Sequence, residues 1–174
     1  MEQNVKNYRV QPTELFHVMA AYDAGDPKRI QHFTKVWTFA RLIGLGENLD
    51  MKTQEILETA AILHDIGIHL SEEKYGDALG KHQEELGPAE ARKMLDSLSY
   101  PKDMIDRVCF LIGHHHSYDS ISSADYQILV EADFLVNIYE DGLSDKAARS
   151  AYERIFKTKT GKAMWEMMYY TSEE

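Results

Sequence analysis

His64 and Asp65 stand side by side in the run Leu63-His64-Asp65-Ile66-Gly67, at the end of an apolar stretch. Neither side chain belongs in a core alone, because a buried carboxylate is strongly disfavoured unless it is paired or bound to a metal. The dipeptide by itself occurs by chance, and its company gives it weight. His32 lies upstream, and His82, His114, His115 and Asp133 lie downstream, each in a helix-like or apolar setting. Imidazoles and carboxylates together form the ligand set of transition-metal sites that keep open positions for chemistry. Asp133 falls four residues after Leu129 and three before Val136, so on a helix it points inward with them. Taken alone, it reads equally well as a buried salt bridge.

His32 lies one turn before Val36 and two before Ala40, at the border of an apolar face. A lone histidine there is more often a satisfied core residue than a ligand. The triplet His114-His115-His116 follows Ile112-Gly113, and spacing does not choose which ring turns inward. His82 sits beside Glu84 and Glu85 with no preferred face, while His17 and His69 read as surface residues.

The elements that must position these groups read as helices almost throughout. A first helix is expected over 12–24. A second opens at Asp26-Pro27 and carries Ile30, Phe33, Trp37 and Ala40 at helical spacing until Gly44 and Gly46 end it. A third runs from about Asp50 to Asp65, stopped by Gly67. Residues 66–87, with four glycines and many charges, read as a long loop holding a short helix. Pro88 and Pro101 are each expected to open a helix, and Ser123, Ser144 and Thr160 to cap three more. No stretch alternates like a strand, so the fold expected is all-α, one compact bundle of about six to eight helices in a single domain over 1–174.

Bulk composition narrows the partners. A length of 174 residues with 44% hydrophobic residues suffices for one proper core. The net charge of -10, with no basic stripe, argues against a nucleic-acid polymer. It does not exclude an anionic small substrate, because a metal dication dominates its own site. A single cysteine, Cys109, forbids an intrachain disulfide and fits a reducing cytosol. Met1-Glu2-Gln3-Asn4 lacks the pattern of a signal peptide, and no apolar run approaches the ~20 residues of a membrane span. A cytoplasmic protein, monomer or homodimer, is expected.

In order the pattern reads His32, His64-Asp65, His82, His114-His115, Asp133, and here the chain resembles the HD superfamily of metal-dependent phosphohydrolases over roughly residues 28–140. Leu63-His64-Asp65-Ile66-Gly67 looks like the HDIG variant, and residues 144–170 would add helices packed on that core. The resemblance implies that His32, His64, Asp65 and Asp133 bind a first metal ion, and that Asp65 bridges to a second held by His82, His114 and His115. It implies an all-α HD fold and hydrolysis of a phosphoester or phosphoanhydride, of a nucleotide or dinucleotide, by metal-activated water, with His64 and Asp65 at its centre. Fe, Mn, Co, Ni or Zn would all suit such ligands, one or two ions per chain.

The chain departs from the pattern of the family it resembles in three places. Ile68 stands where a lysine commonly follows HDIG, the GYP signature is absent after His115, and Gln83 rather than His82 lies four residues before Gly87, so Glu84 is a substitute ligand. Arg29, Lys35, Lys74 and Lys81 are candidates for phosphate oxygens, each competing with a plain surface role, and Tyr118 and Tyr126 are expected to shape the pocket. Two other readings use the same residues: an HD-type diiron oxygenase, and a non-catalytic HD domain that senses a nucleotide.

Overall fold

The computed structural model describes residues 12–170. Among these residues every regular element is helical. In chain order they are α1 (Pro12–Tyr22), α2 (Pro27–Gly46), α3 (Met51–Leu63), α4 (Ile68–Tyr75), α5 (Gly80–Ser97), α6 (Lys102–Ile112), a 3-10 turn (Tyr118–Ser120), α7 (Ala124–Glu140), α8 (Asp145–Ile155) and α9 (Lys159–Tyr169). The expected range of six to eight helices counts the longer segments, and the eight-residue α4 makes the ninth. Among the described residues no helix is long and apolar enough to cross a membrane.

Local chemistry sets several of the boundaries. Asp26 caps α2 by accepting from the Arg29 backbone N–H, with Pro27 in the first turn, and Asp50 caps α3 by accepting from Lys52 and Thr53. Ser144 caps α8 as expected. Ser123 occupies the cap position of α7 without a side-chain bond. The last helix is capped by Thr158, two residues before the expected Thr160.

Helices α3 and α7 form the centre. Leu57, Ala60, Ala61, Ile62 and Leu63 of α3 and Ile128, Leu129, Ala132 and Leu135 of α7 are all fully buried. Helix α2 packs against both through Phe33, Val36, Ala40 and Ile43. Helices α5 and α6 pair on one flank, and α8 and α9 lie against α7.

The largest correction concerns 66–87. It is not a long loop: α4 and the first turns of α5 occupy most of it. Pro88 sits inside α5 rather than opening it. A mid-helix proline removes one backbone donor and crowds the carbonyl four residues back, a penalty that packing can outweigh. Helix α5 runs between α4 and α6, where Gly67 makes that close approach possible. A Cβ on Gly67 would lie 2.8 Å from the Gln83 carbonyl oxygen and 2.9 Å from the Gly87 nitrogen.

A buried carboxylate ties the C-terminal helices to the centre. Glu131 is fully buried on α7 and accepts from the backbone N–H groups of Lys157 (2.6 Å) and Thr158 (2.9 Å), from the Thr158 hydroxyl, and from Gln127 (2.8 Å). Glu131→Ala is expected to orphan those donors and cost about 2–4 kcal/mol, read as a lower urea midpoint. An unchanged midpoint would show that the clip carries no stability.

Candidate metal centre

His64 and Asp65, expected at the end of the third helix, lie beyond it. That helix ends at Leu63, and residues 64–67 form a tight turn closed by Ile66 N–H to Leu63 O (2.9 Å) and Ile68 N–H to Asp65 O (3.0 Å). Leaving the helix lets two adjacent side chains converge instead of diverging by the ~100° of a helical step. His64 is fully buried and Asp65 lies beside it, their Nε2 and Oδ2 atoms 3.4 Å apart.

Two further helices complete the cluster. His32 of α2 brings its Nε2 to 3.1 Å from His64 Nε2, 3.4 Å from Asp65 Oδ2 and 3.3 Å from Asp133 Oδ1. Asp133 of α7 lies 3.5 Å from His64 Nε2 and is 4% exposed, which makes it a buried carboxylate in need of a cation. On the far side of Asp65, His115 Nε2 lies 3.5 Å from Oδ1.

The hydrogen bonds fix which nitrogen faces the cluster. His64 Nδ1 donates to the Ala61 carbonyl (2.9 Å) and His115 Nδ1 to the Ile112 carbonyl (2.8 Å). His32 Nδ1 pairs with Glu140 Oε2 at 2.7 Å. A carbonyl only accepts, so Nδ1 of His64 and of His115 carries a proton, and Nε2 is the atom left to offer a lone pair to an ion. His115 Nε2 is buried without any hydrogen-bond partner. Two imidazole lone pairs 3.1 Å apart repel unless a cation or a proton lies between them. Ligands about 2.0–2.1 Å from a divalent ion stand about 3.0–3.4 Å from one another, and the donors here are separated by 3.1–3.5 Å. The residues fit a bound transition-metal dication.

Without that ion the charges report the same demand. Burial alone would lower the His32 pKa, but Asp133, Asp65 and Glu140 raise it to about 9. Burial alone would raise Asp65 and Asp133, yet the surrounding imidazoles hold both well below the usual carboxylate range. His116 is pushed down to about 4 by burial and by the neighbouring His115, so it stays neutral and able to donate a lone pair.

Two groups of side chains bring their donor atoms close enough to share an ion: His32, His64 and Asp65, and Asp65, His115 and His116. Asp65 is common to both. His82 and His114, expected in the second set, are not brought there. His82 Nδ1 pairs with Asp77 at 2.8 Å and its ring stacks on Tyr75 at 3.9 Å. His114 stacks on Phe110 at 4.3 Å and donates to the Phe110 carbonyl. Glu84 is spent on the histidine turn, accepting from the His116 backbone N–H (2.9 Å) and the Ser117 hydroxyl (3.0 Å). Tyr126 is fully buried rather than lining a pocket, and its hydroxyl holds the same turn through the His114 and Ser117 carbonyls, 2.5 Å each.

The expected phosphate-binding cations are mostly engaged. Arg29 contacts Glu72 (2.6 Å), Asp26 (3.4 Å) and His69 (2.7 Å). Lys35 pairs with Glu140, and Lys74 with Glu85 at 3.0 Å. Lys81 is exposed. Tyr118 packs edge-on against Phe134, its hydroxyl 3.3 Å from His116 Nδ1. His69, read as a surface residue, bonds buried Asp23 at 2.8 Å.

Two contributors escaped the sequence reading. Asn137 donates to Asp133 Oδ1 at 2.9 Å, and Glu140 orients His32. Asp133, Asn137 and Glu140 recur at i, i+4 and i+7 on α7, a polar stripe down a largely buried helix that spacing could have revealed. A cavity of about 300 Å³, bordered by His32, Asp65, Asn137 and Glu140, opens on this centre.

Helices α2 and α7 and two turns thus bring histidines and aspartates together in a cluster that could hold a metal ion. The HD domain family matches residues 29–157, and the chain belongs to that family. HD domains bind divalent metals and make up a superfamily of metal-dependent hydrolases. Among solved structures, the chain is similar to a predicted HD superfamily hydrolase from an uncultured Thermotogales bacterium, with 25% identity and a TM-score of 0.65, over 90% of this chain and 84% of that one. A comparison with curated proteins finds no match.

Glu140→Ala should weaken metal affinity about 10–100-fold, measured by competition with a chelating dye, while the helical circular dichroism persists. Full affinity would show that Glu140 does not orient His32. In chelator-treated protein, charged His32 has a folded pKa of about 9 against a reference of 6.5. Its stabilisation is complete below pH 6.5 and fades as pH rises through 9. The apo-protein Tm should therefore fall across that window, and His32→Gln should flatten the fall.

Proposed function

We propose that this protein is a metal-dependent phosphohydrolase acting on a small phosphorylated compound of the nucleotide type. One observation carries the reading: in a chain of the HD family, the Nε2 atoms of His32 and His64 converge on Asp65 and Asp133, and that of His115 on Asp65, beside an open cavity. His32, His64, Asp65 and Asp133 would hold one ion, and Asp65, His115 and His116 a second. Bound there, such ions supply a water of lowered pKa and positive charge for phosphoryl oxygens.

The chain's own residues do the rest. Asp65, shared by both donor groups, sets the spacing between them. Asn137 keeps Asp133 Oδ1 turned toward the imidazoles. Glu84 and Tyr126 hold the turn that carries His115 and His116. The apolar shell of Leu63, Ile66, Ile112 and Leu129 keeps bulk water from the rear of the centre and strengthens its electrostatics. Tyr118, beside His116 at the exposed edge, would touch a bound substrate.

Metal analysis of protein purified without chelator or a histidine tag is expected to find one to two transition-metal ions per chain. With Mn²⁺, Co²⁺ or Fe²⁺ supplied, release of p-nitrophenol from p-nitrophenyl phosphate is expected, and His64→Ala and Asp65→Ala should lose both metal and turnover while retaining their helix content. Turnover undiminished in either variant would remove the proposal.

A further inference from the structure

The donor group of Asp65, His115 and His116 holds a buried atom with nothing to bind: His115 Nε2 has no hydrogen-bond partner and lies 3.5 Å from Asp65 Oδ1. The first turn of α5 lies against His116 in the same group. Gly80 has no side chain there, and a Cβ would stand 2.6 Å from the His116 ring. Three residues on, Gln83 is buried. Its side-chain NH2 donates to the Ala78 carbonyl at 2.8 Å. A carbonyl only accepts, so that bond fixes which end of the amide is the oxygen. Oε1 is thereby turned toward His116, 3.4 Å from its Nε2.

Two explanations compete for that contact. With its proton on Nε2, His116 would donate to Oε1, but the 3.4 Å separation exceeds the roughly 2.7–3.2 Å of a good N–H···O bond. With its proton on Nδ1, beside the Tyr118 hydroxyl at 3.3 Å, His116 sets a lone pair against the lone pairs of the amide oxygen. A cation shared by the two removes that repulsion, and 3.4 Å falls within the about 3.0–3.4 Å that separates two ligands of one ion. Resting on the two-ion form of the phosphohydrolase reading, we infer that Gln83 Oε1 is the fourth protein ligand of the second ion, with Asp65, His115 and His116. The first donor group carries two carboxylates, Asp65 and Asp133, whereas the second carries Asp65 and a neutral amide. Held by less negative charge, the second ion is the weaker and more exchangeable of the two. Carboxylate and carbonyl oxygens suit Mn²⁺, which makes it a fitting probe.

The test titrates the chelator-treated full chain with Mn²⁺ and follows the free ion by its electron paramagnetic resonance signal. The unaltered chain should take up two ions of unequal affinity. Gln83→Leu should keep the tighter ion and weaken the other at least about tenfold. Gln83→Glu, which exchanges the amide oxygen for a charged one, should tighten the weaker ion by about tenfold. Gln83→Leu that leaves the weaker ion untouched, or strengthens it, would overturn the inference, because Gln83 would then only accept a hydrogen bond from His116. Uptake of a single ion by the unaltered chain would overturn it too. If Gln83→Leu loses both ions, its fold is disturbed and Gln83→Glu decides: tightening upholds the inference and its absence overturns it. Release of p-nitrophenol from p-nitrophenyl phosphate is measured alongside. Turnover sustained by one ion would keep the phosphohydrolase reading while the inference falls. Two ions that respond to the variants as expected, without turnover, would uphold the inference and overturn that reading.

Discussion

The structure turns on the need to neutralise two carboxylates, Asp133 buried and Asp65 half-buried, that share the same imidazole partners. Asp65 and Asp133 both lie within 3.5 Å of the same two imidazole nitrogens. Buried charges of one sign are tolerated only with a partner of the other. The imidazoles of His64 and His115 each have one nitrogen left for the cluster, because a backbone carbonyl binds the Nδ1 proton of each. What remains is a ring of lone pairs and carboxylate oxygens that is stable around a dication and strained without one. The pKa of about 9 for His32 is the metal-free chain's substitute, a proton borrowed where an ion belongs.

That arrangement explains why the ligands stand where helices stop. A helix presents adjacent residues about 100° apart, whereas the turns at 64–67 and 113–116 let neighbouring side chains face one way. Turns are mobile unless something holds them, and here they are held from several directions. Gly67 admits α5 to within backbone contact, Glu84 accepts from the second turn, and Tyr126 reaches up from the start of α7. The rigid elements α2 and α7 supply His32 and Asp133 from mid-helix, where neither side chain has freedom to leave.

Much of this was legible in the chain itself. Helical periodicity, capping residues and the absence of alternating stretches are local properties, and they placed most helix boundaries to within a few residues. The inward position of Asp133 followed from its spacing to Leu129 and Val136 for the same reason. Direction was not legible. Whether His114, His115 or His116 turns inward depends on Glu84, some thirty residues away, and on the Tyr126 hydroxyl. His82 was drawn off by Asp77 and Tyr75, and Pro88 was carried inside α5 by packing that spacing does not record. Sequence alone determined which residue types are present and which helix faces they occupy, because backbone geometry repeats every few residues. Only the tertiary structure decided which nitrogens and oxygens meet, because that depends on contacts between segments distant along the chain.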